Sequence, residues 1–151
     1  MRYLIDTNVL LRWSVADDPH YAACVGAVDA LTVRGIDVCV CAQVLIEYWA
    51  VSTRPRDVNG LEFSPSDVDE RLTEVDRIFT LLPEPPDIAL RWRKIAAEHS
   101  VVGKQAHDAR IAALMTAHGV THILTLNVSD FARYQGITPV TPQEVLQQIG
   151  G

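Results

Sequence analysis

Five short apolar runs recur along this 151-residue chain with helix-like stretches between them, and that alternation narrows the fold more than any other feature. The runs are Tyr3-Leu4-Ile5, residues 37–41, Leu81-Leu82, and residues 122–126 and 137–140. Between them apolar side chains return every three or four positions, as in Val9, Leu10 and Trp13, or Val68, Leu72, Val75 and Phe79, which is the period of an amphipathic helix. Strands separated by helices pair in parallel, because a crossover rather than a tight turn joins them. The expected architecture is α/β, a central parallel sheet of about four to five short strands with helices on both faces.

Helix ends are marked by local chemistry. Ser64-Pro65-Ser66-Asp67 and Thr141-Pro142-Gln143-Glu144 read as capping boxes with proline in the first helical turn. Arg54-Pro55 stops a helix over residues 42–52 carrying Val44, Ile46, Tyr48 and Val51, because a residue before proline avoids helical geometry. Further helices are expected over residues 20–32, 64–79, 87–99 and 104–118, with a short one over 131–134 and a terminal one reaching residue 149. With 48% hydrophobic residues the chain can form a core as a single domain, residues 1–151, without disulfides. The three cysteines, Cys24, Cys39 and Cys41, include no Cys-x-x-Cys pair and read as buried small hydrophobes. No stretch is long and apolar enough for a transmembrane helix, and the early charges Arg2 and Asp6 do not suit a signal segment, so a cytoplasmic protein without a membrane partner is expected.

Three acids interrupt these apolar patterns. Asp6 closes the first strand, Glu47 sits within Val44-Leu45-Ile46-Glu47-Tyr48, and Asp108 leads the stripe Ile111, Ala112 and Met115. Ligands of open parallel sheets bind beyond the carboxyl ends of strands, where Asp6 and Asn127 both stand. Clustered carboxylates repel one another unless a cation intervenes, and hard oxygen donors suit Mg²⁺ or Mn²⁺. Each acid also has a plainer reading: Asp6 as a helix cap, Asp108 as a partner of a helix dipole, Glu47 as a surface residue on a rotated helix. Asn127 and Asp130 read equally as metal-site residues or as a capping turn. The five histidines lie singly, without a His-Glu-x-x-His pattern, and Trp13, Trp49 and Trp92 read as core. A net charge of −6 argues against a generally basic nucleic-acid surface, although Arg54, Arg56, Arg91, Arg93, Lys94, Lys104, Arg110 and Arg133 offer a local basic rim.

Taken in order, Tyr3-Leu4-Ile5-Asp6-Thr7-Asn8-Val9-Leu10, Glu47 in the helix after the second strand, His107-Asp108-Ala109-Arg110-Ile111-Ala112-Ala113 and Leu124-Thr125-Leu126-Asn127-Val128-Ser129-Asp130-Phe131 resemble PIN-domain ribonucleases of the VapC toxin family. The resemblance spans nearly the whole chain. It implies a PIN-like fold and metal-dependent endonucleolytic cleavage of RNA, in which metal-activated water attacks phosphorus and leaves a 5′-phosphate. It assigns Asp6, Glu47 and Asp108 to a Mg²⁺ or Mn²⁺ site, with Asp6 and Asp108 as direct ligands. Many relatives carry a fourth acid where this chain has Asn127, so Asp130 is a candidate for part of that role, and the metal count stays between one and two. A VapB-type antitoxin, whose carboxyl-terminal segment occupies the groove, and a homodimer are also implied.

The loop Arg54 to Gly60 adds a candidate RNA contact through Arg54 and Arg56, as arginine forks hold phosphate bidentately, and Thr7 and Asn8 are further RNA-contact candidates. Two alternatives stay open from sequence. One is a PIN-like RNA- or antitoxin-binding module without turnover; the other is a haloacid-dehalogenase-like phosphatase, which also places an aspartate after its first strand but would need a second acid where Asn8 stands.

Overall fold

The apolar runs do become strands, and all five join one parallel sheet in the order β3-β2-β1-β4-β5. They are β1 (Arg2–Ile5), β2 (Asp37–Cys41), β3 (Thr80–Leu82), β4 (His122–Leu124) and β5 (Thr138–Val140). The computed structural model describes residues 1–149, so the last two residues of the expected 1–151 domain lie outside the described residues. Central β1 and β2 are buried along Tyr3, Leu4, Ile5 and Val38 to Cys41, as strands covered on both faces must be. Pro139 lies in edge strand β5, where a missing N–H leaves no central ladder bond broken.

Among the described residues seven α-helices connect and cover the strands: α1 (Thr7–Trp13), α2 (Tyr21–Val33), α3 (Ala42–Thr53), α4 (Pro65–Ile78), α5 (Ile88–Glu98), α6 (Gln105–His118) and α7 (Pro142–Gln148). Both expected capping boxes form their first half. Ser64 Oγ accepts from Asp67 N–H at 3.1 Å, and Thr141 Oγ1 accepts from Glu144 N–H at 3.1 Å. Gly119 ends α6 at φ 67°, a left-handed conformation that costs glycine little. Gly60 is required for a different reason: a Cβ there would lie 1.8 Å from the Arg54 carbonyl oxygen.

Three local expectations change. The fourth strand stops at Leu124 rather than residue 126, because beyond it the chain turns its polar groups toward the end of β1. The short helix expected over residues 131–134 is replaced by a 3-10 turn at Val128–Asp130, after which Phe131 and Tyr134 are buried. Ile46, expected on the buried stripe of α3, is 68% exposed because Val44 and Tyr48, one turn apart, face the core instead. The three cysteines are buried free thiols as expected, and burial raises each to a pKa of about 11.

From β1 the chain adds β2 and then β3 on one side; it then crosses back to place β4 and β5 on the other. The strand order therefore reverses between β1 and β4. Such a switch point opens a crevice beyond the strand ends, since the connections leave it in opposite directions. Asp6 follows β1 there, and Thr125 follows β4.

Candidate active site

Asp6 is 8% exposed and stands in the crevice, where three donors reach its carboxylate. Its backbone N–H extends the sheet by donating to Leu124 O at 2.9 Å, which sets the carboxylate just past the last β1–β4 pair, Ile5 and Leu124. Oδ1 accepts from Thr7 N–H at 2.8 Å, so the capping reading is realised. Oδ2 accepts from Thr125 Oγ1 at 2.8 Å and Asn8 Nδ2 at 3.2 Å. Capping and a functional role are compatible, because these bonds fix the carboxylate's direction. Burial raises the Asp6 pKa; the Thr125 and Thr7 hydrogen bonds oppose that rise, while Glu47 and Asp130 add to it.

Glu47 comes from α3, which begins directly after β2 and carries it to the crevice in its second turn. Its Oε2 accepts from Thr7 Oγ1 at 2.9 Å, and its Oε1 from Gln43 Nε2 at 3.0 Å. Gln43, Ile46, Glu47, His107 and Arg110 line an open groove of about 470 Å³. Asp108 enters from the first turn of α6. Its carboxyl is pushed up to about 7 by burial first, then by the charges of Asp130, Asp6 and Glu47. Four acids thus share one electrostatic neighbourhood.

The donor set is entirely hard oxygen, and its mutual repulsion is the kind a divalent cation relieves. By that chemistry the residues fit such an ion. Among the described residues, no three His, Cys, Asp or Glu side chains stand close enough together to hold a metal as they are. Unscreened carboxylates keep apart, and Asp6 and Glu47 are meanwhile occupied by protein donors.

The other candidate residues separate clearly. Asp130 lies within electrostatic reach of both Asp6 and Asp108. Asn127 is exposed and joins through its backbone, donating its N–H to Thr125 Oγ1 at 3.0 Å. Thr7 and Asn8, singled out as RNA contacts, hydrogen-bond within the site, where Asn8 Oδ1 also accepts from Leu126 N–H at 3.1 Å. Arg54 and Arg56 are exposed in their own loop, where Arg54 Nη2 donates to Asn59 O at 3.1 Å. Arg54 lies seven positions beyond Glu47, on the order of 10 Å along the axis.

Of the proposed basic rim, Arg110 is paired with Glu84 at 2.7 Å, Arg91 with Asp87 at 3.0 Å, and Arg133 donates to Gln105 and His99 O. Trp49 is 37% exposed on the outer side of α3 rather than in the core, whereas Trp13 meets Phe79 edge to face. Sequence reading missed Thr125 and Gln43. Thr125 was legible only as a strand residue, and Gln43 only as a polar residue before an apolar run.

The sequence profile described as PIN domain matches residues 3–137. The chain belongs to the PIN domain family. Among curated proteins it is 29% identical over 131 residues to Ribonuclease VapC24 of Mycobacterium tuberculosis, covering 86% of this chain and 89% of that protein. Among solved structures, this PIN domain resembles VapBC2 from Rickettsia felis, bound to a promoter DNA fragment, with a TM-score of 0.68 and 15% identity over 93% of this chain and 98% of that one. It also resembles Mycobacterium tuberculosis VapC20, described as a sarcin-ricin loop cleaving toxin, with a TM-score of 0.62 and 14% identity over 91% and 99%. At these identities the structural likenesses establish the fold.

Proposed function

We propose that this PIN domain is a metal-dependent endoribonuclease, acting as the toxin of a type II toxin-antitoxin pair, with Asp6, Glu47, Asp108 and Asp130 as its acidic centre. The observation that carries this reading is the convergence of four acids from four separate segments on the β1–β4 switch point. Kinship with Ribonuclease VapC24 supplies the reaction class.

Asp6 and Asp108 would hold a Mg²⁺ or Mn²⁺ ion, with Glu47 beside them. When bound, such an ion neutralises phosphate charge and lowers the pKa of water, which makes hydrolysis feasible near neutral pH. The protein's own contribution is orientation. Thr7, Asn8 and Thr125 fix both Asp6 oxygens, while Glu47 is steered by Thr7 and Gln43. Asp108 must lose a proton that the neighbouring acids help it keep, so its ionisation is coupled to the arrival of positive charge. Water oxygen bonds to phosphorus as the P–O3′ bond breaks, giving 5′-phosphate and 3′-hydroxyl ends with no covalent enzyme intermediate. Asn127, exposed beside Asp130, contributes through its backbone bond to Thr125.

A VapB-type antitoxin and a second copy of the chain are the partners this reading carries, supported by the VapBC form of the structural relatives. Among the described residues no helix is long and apolar enough to cross a membrane, which accords with a cytoplasmic site of action. Incubation of the purified protein with end-labelled single-stranded RNA tests the chemistry. Cleavage should require Mg²⁺ or Mn²⁺, stop on chelation and yield 5′-phosphate ends; products ending in 2′,3′-cyclic phosphate would overturn attack by water.

A further inference from the structure

We propose that Gln43 is a positioning residue that sets the separation between α3 and α6, and that Arg110 and Glu84 hold its amide in the required orientation. Gln43 is 7% exposed and committed on three sides. Nε2 donates to Glu47 Oε1 at 3.0 Å and to the His107 carbonyl at 2.9 Å; Oε1 accepts from Arg110 Nη1 at 2.8 Å. Both amide protons are therefore used, one on α3 and one on the first turn of α6, at the residue before Asp108. Only one flip of the amide satisfies this set, since the reverse would aim oxygen at a carboxylate and a carbonyl and nitrogen at a guanidinium.

Apolar packing does not fix this separation by itself. α3 rests chiefly on α1 and α4, whereas α6 rests on α5. The two helices that deliver Glu47 and Asp108 thus meet across the groove mainly through a polar bridge. Arg110 is anchored at its other nitrogen, Nη2 donating to Glu84 Oε1 at 2.7 Å, and Glu84 offsets its charge. With its charge matched in this way, Arg110 acts on Gln43 by geometry. The strap Glu84–Arg110–Gln43 then reaches Glu47, and through Thr7 the segment that carries Asp6.

This inference rests on the metal-site reading above, so two readouts are needed. The first is Mn²⁺ binding by calorimetry, without RNA, for wild type, Gln43→Leu, Arg110→Met and the double variant. Outer groups that orient ligands typically change metal affinity by about 10- to 100-fold, and a loss of that size is expected for Gln43→Leu. The double variant should bind no more weakly than Gln43→Leu, because both substitutions break the same strap. The second readout is amide hydrogen exchange of the metal-free protein, in which Gln43→Leu should speed exchange over residues 107–112 roughly tenfold and leave α2 unchanged.

Wild-type Mn²⁺ affinity in Gln43→Leu, or losses that add in the double variant, would overturn the positioning role. Unchanged exchange over residues 107–112 would overturn the bridge itself. If wild type binds no Mn²⁺, the metal-site reading fails, and exchange still decides whether Gln43 ties the helices. Should Gln43→Leu not fold, Arg110→Met and Glu84→Gln carry the same comparison from the partly exposed end of the strap.

Discussion

Asp6 and Asp108 approach the same crevice under opposite conditions. Asp6 follows a central strand, caps α1 and accepts from Thr7, Asn8 and Thr125. Asp108 sits half-buried in the first turn of α6, where burial and three neighbouring acids raise it to about 7 with no hydrogen bond among the opposing causes. One carboxylate is held by the protein before any ligand arrives. The other is raised by burial and by its acidic neighbours alone.

The largest effects should separate these two acids by sign. Asp6→Ala removes a helix cap, worth about 1 kcal/mol, and orphans buried donors at about 1–3 kcal/mol each, so a net loss of roughly 3 kcal/mol is expected in denaturant unfolding. Asp108→Asn should instead stabilise the metal-free protein at neutral pH. In the fold burial and the neighbouring acids push Asp108 up to about 7 from its ordinary 3.8, so the unfolded chain releases this proton first. Its favourable contribution is complete below about pH 4 and is lost as pH rises to about 7. Thermal unfolding of wild type across that window should show a decline attributable to Asp108, and Asp108→Asn should flatten it.

Thr125→Val comes next, because it withdraws a donor from Asp6 Oδ2 and an acceptor from Asn127 N–H while keeping the side chain's shape. A stability loss of about 1–2 kcal/mol is expected at neutral pH. Asp130→Asn should lower the Asp108 pKa, read by carboxyl NMR titration, whereas Asn127→Ala should leave it in place. Equal shifts from the two would contradict the division between Asp130 and Asn127. The smallest effect belongs to Arg54→Ala with Arg56→Ala, in the loop beyond the end of α3, which should weaken RNA binding slightly and reduce its salt slope by about 1–2. An unchanged slope removes that loop from the interface.

Much of the fold was legible because it rests on local signals. The runs at Tyr3-Leu4-Ile5 and residues 37–41 announce buried strands, and Ser64 and Thr141 sit one residue before the helices they cap. Ile46 misled because α3 is short and its apolar residues occupy more than one face, so periodicity alone cannot say which face turns inward. The three principal acids were legible as misplaced charges. Their supporting donors were not, since Thr125 reaches Asp6 across 119 residues and Gln43 reaches His107 across 64. Only the parallel pairing of β1 with β4 brings the first contact about, and no pattern within either segment encodes it. Thr7 and Asn8 were placed in the right neighbourhood, but their bonds to Glu47 and Asp6 were not legible, because a polar side chain near a site can face a substrate or a neighbouring carboxylate alike.

Whether the converging acids form one hydrolytic centre is decided by RNA cleavage in Mg²⁺ or Mn²⁺ with wild type, Asp6→Asn and Asp108→Asn compared at matched folded fractions. Wild type should cleave and both variants should lose at least about 100-fold of that rate, since each removes a charge that the ion requires. Equal cleavage by all three proteins would contradict the assignment.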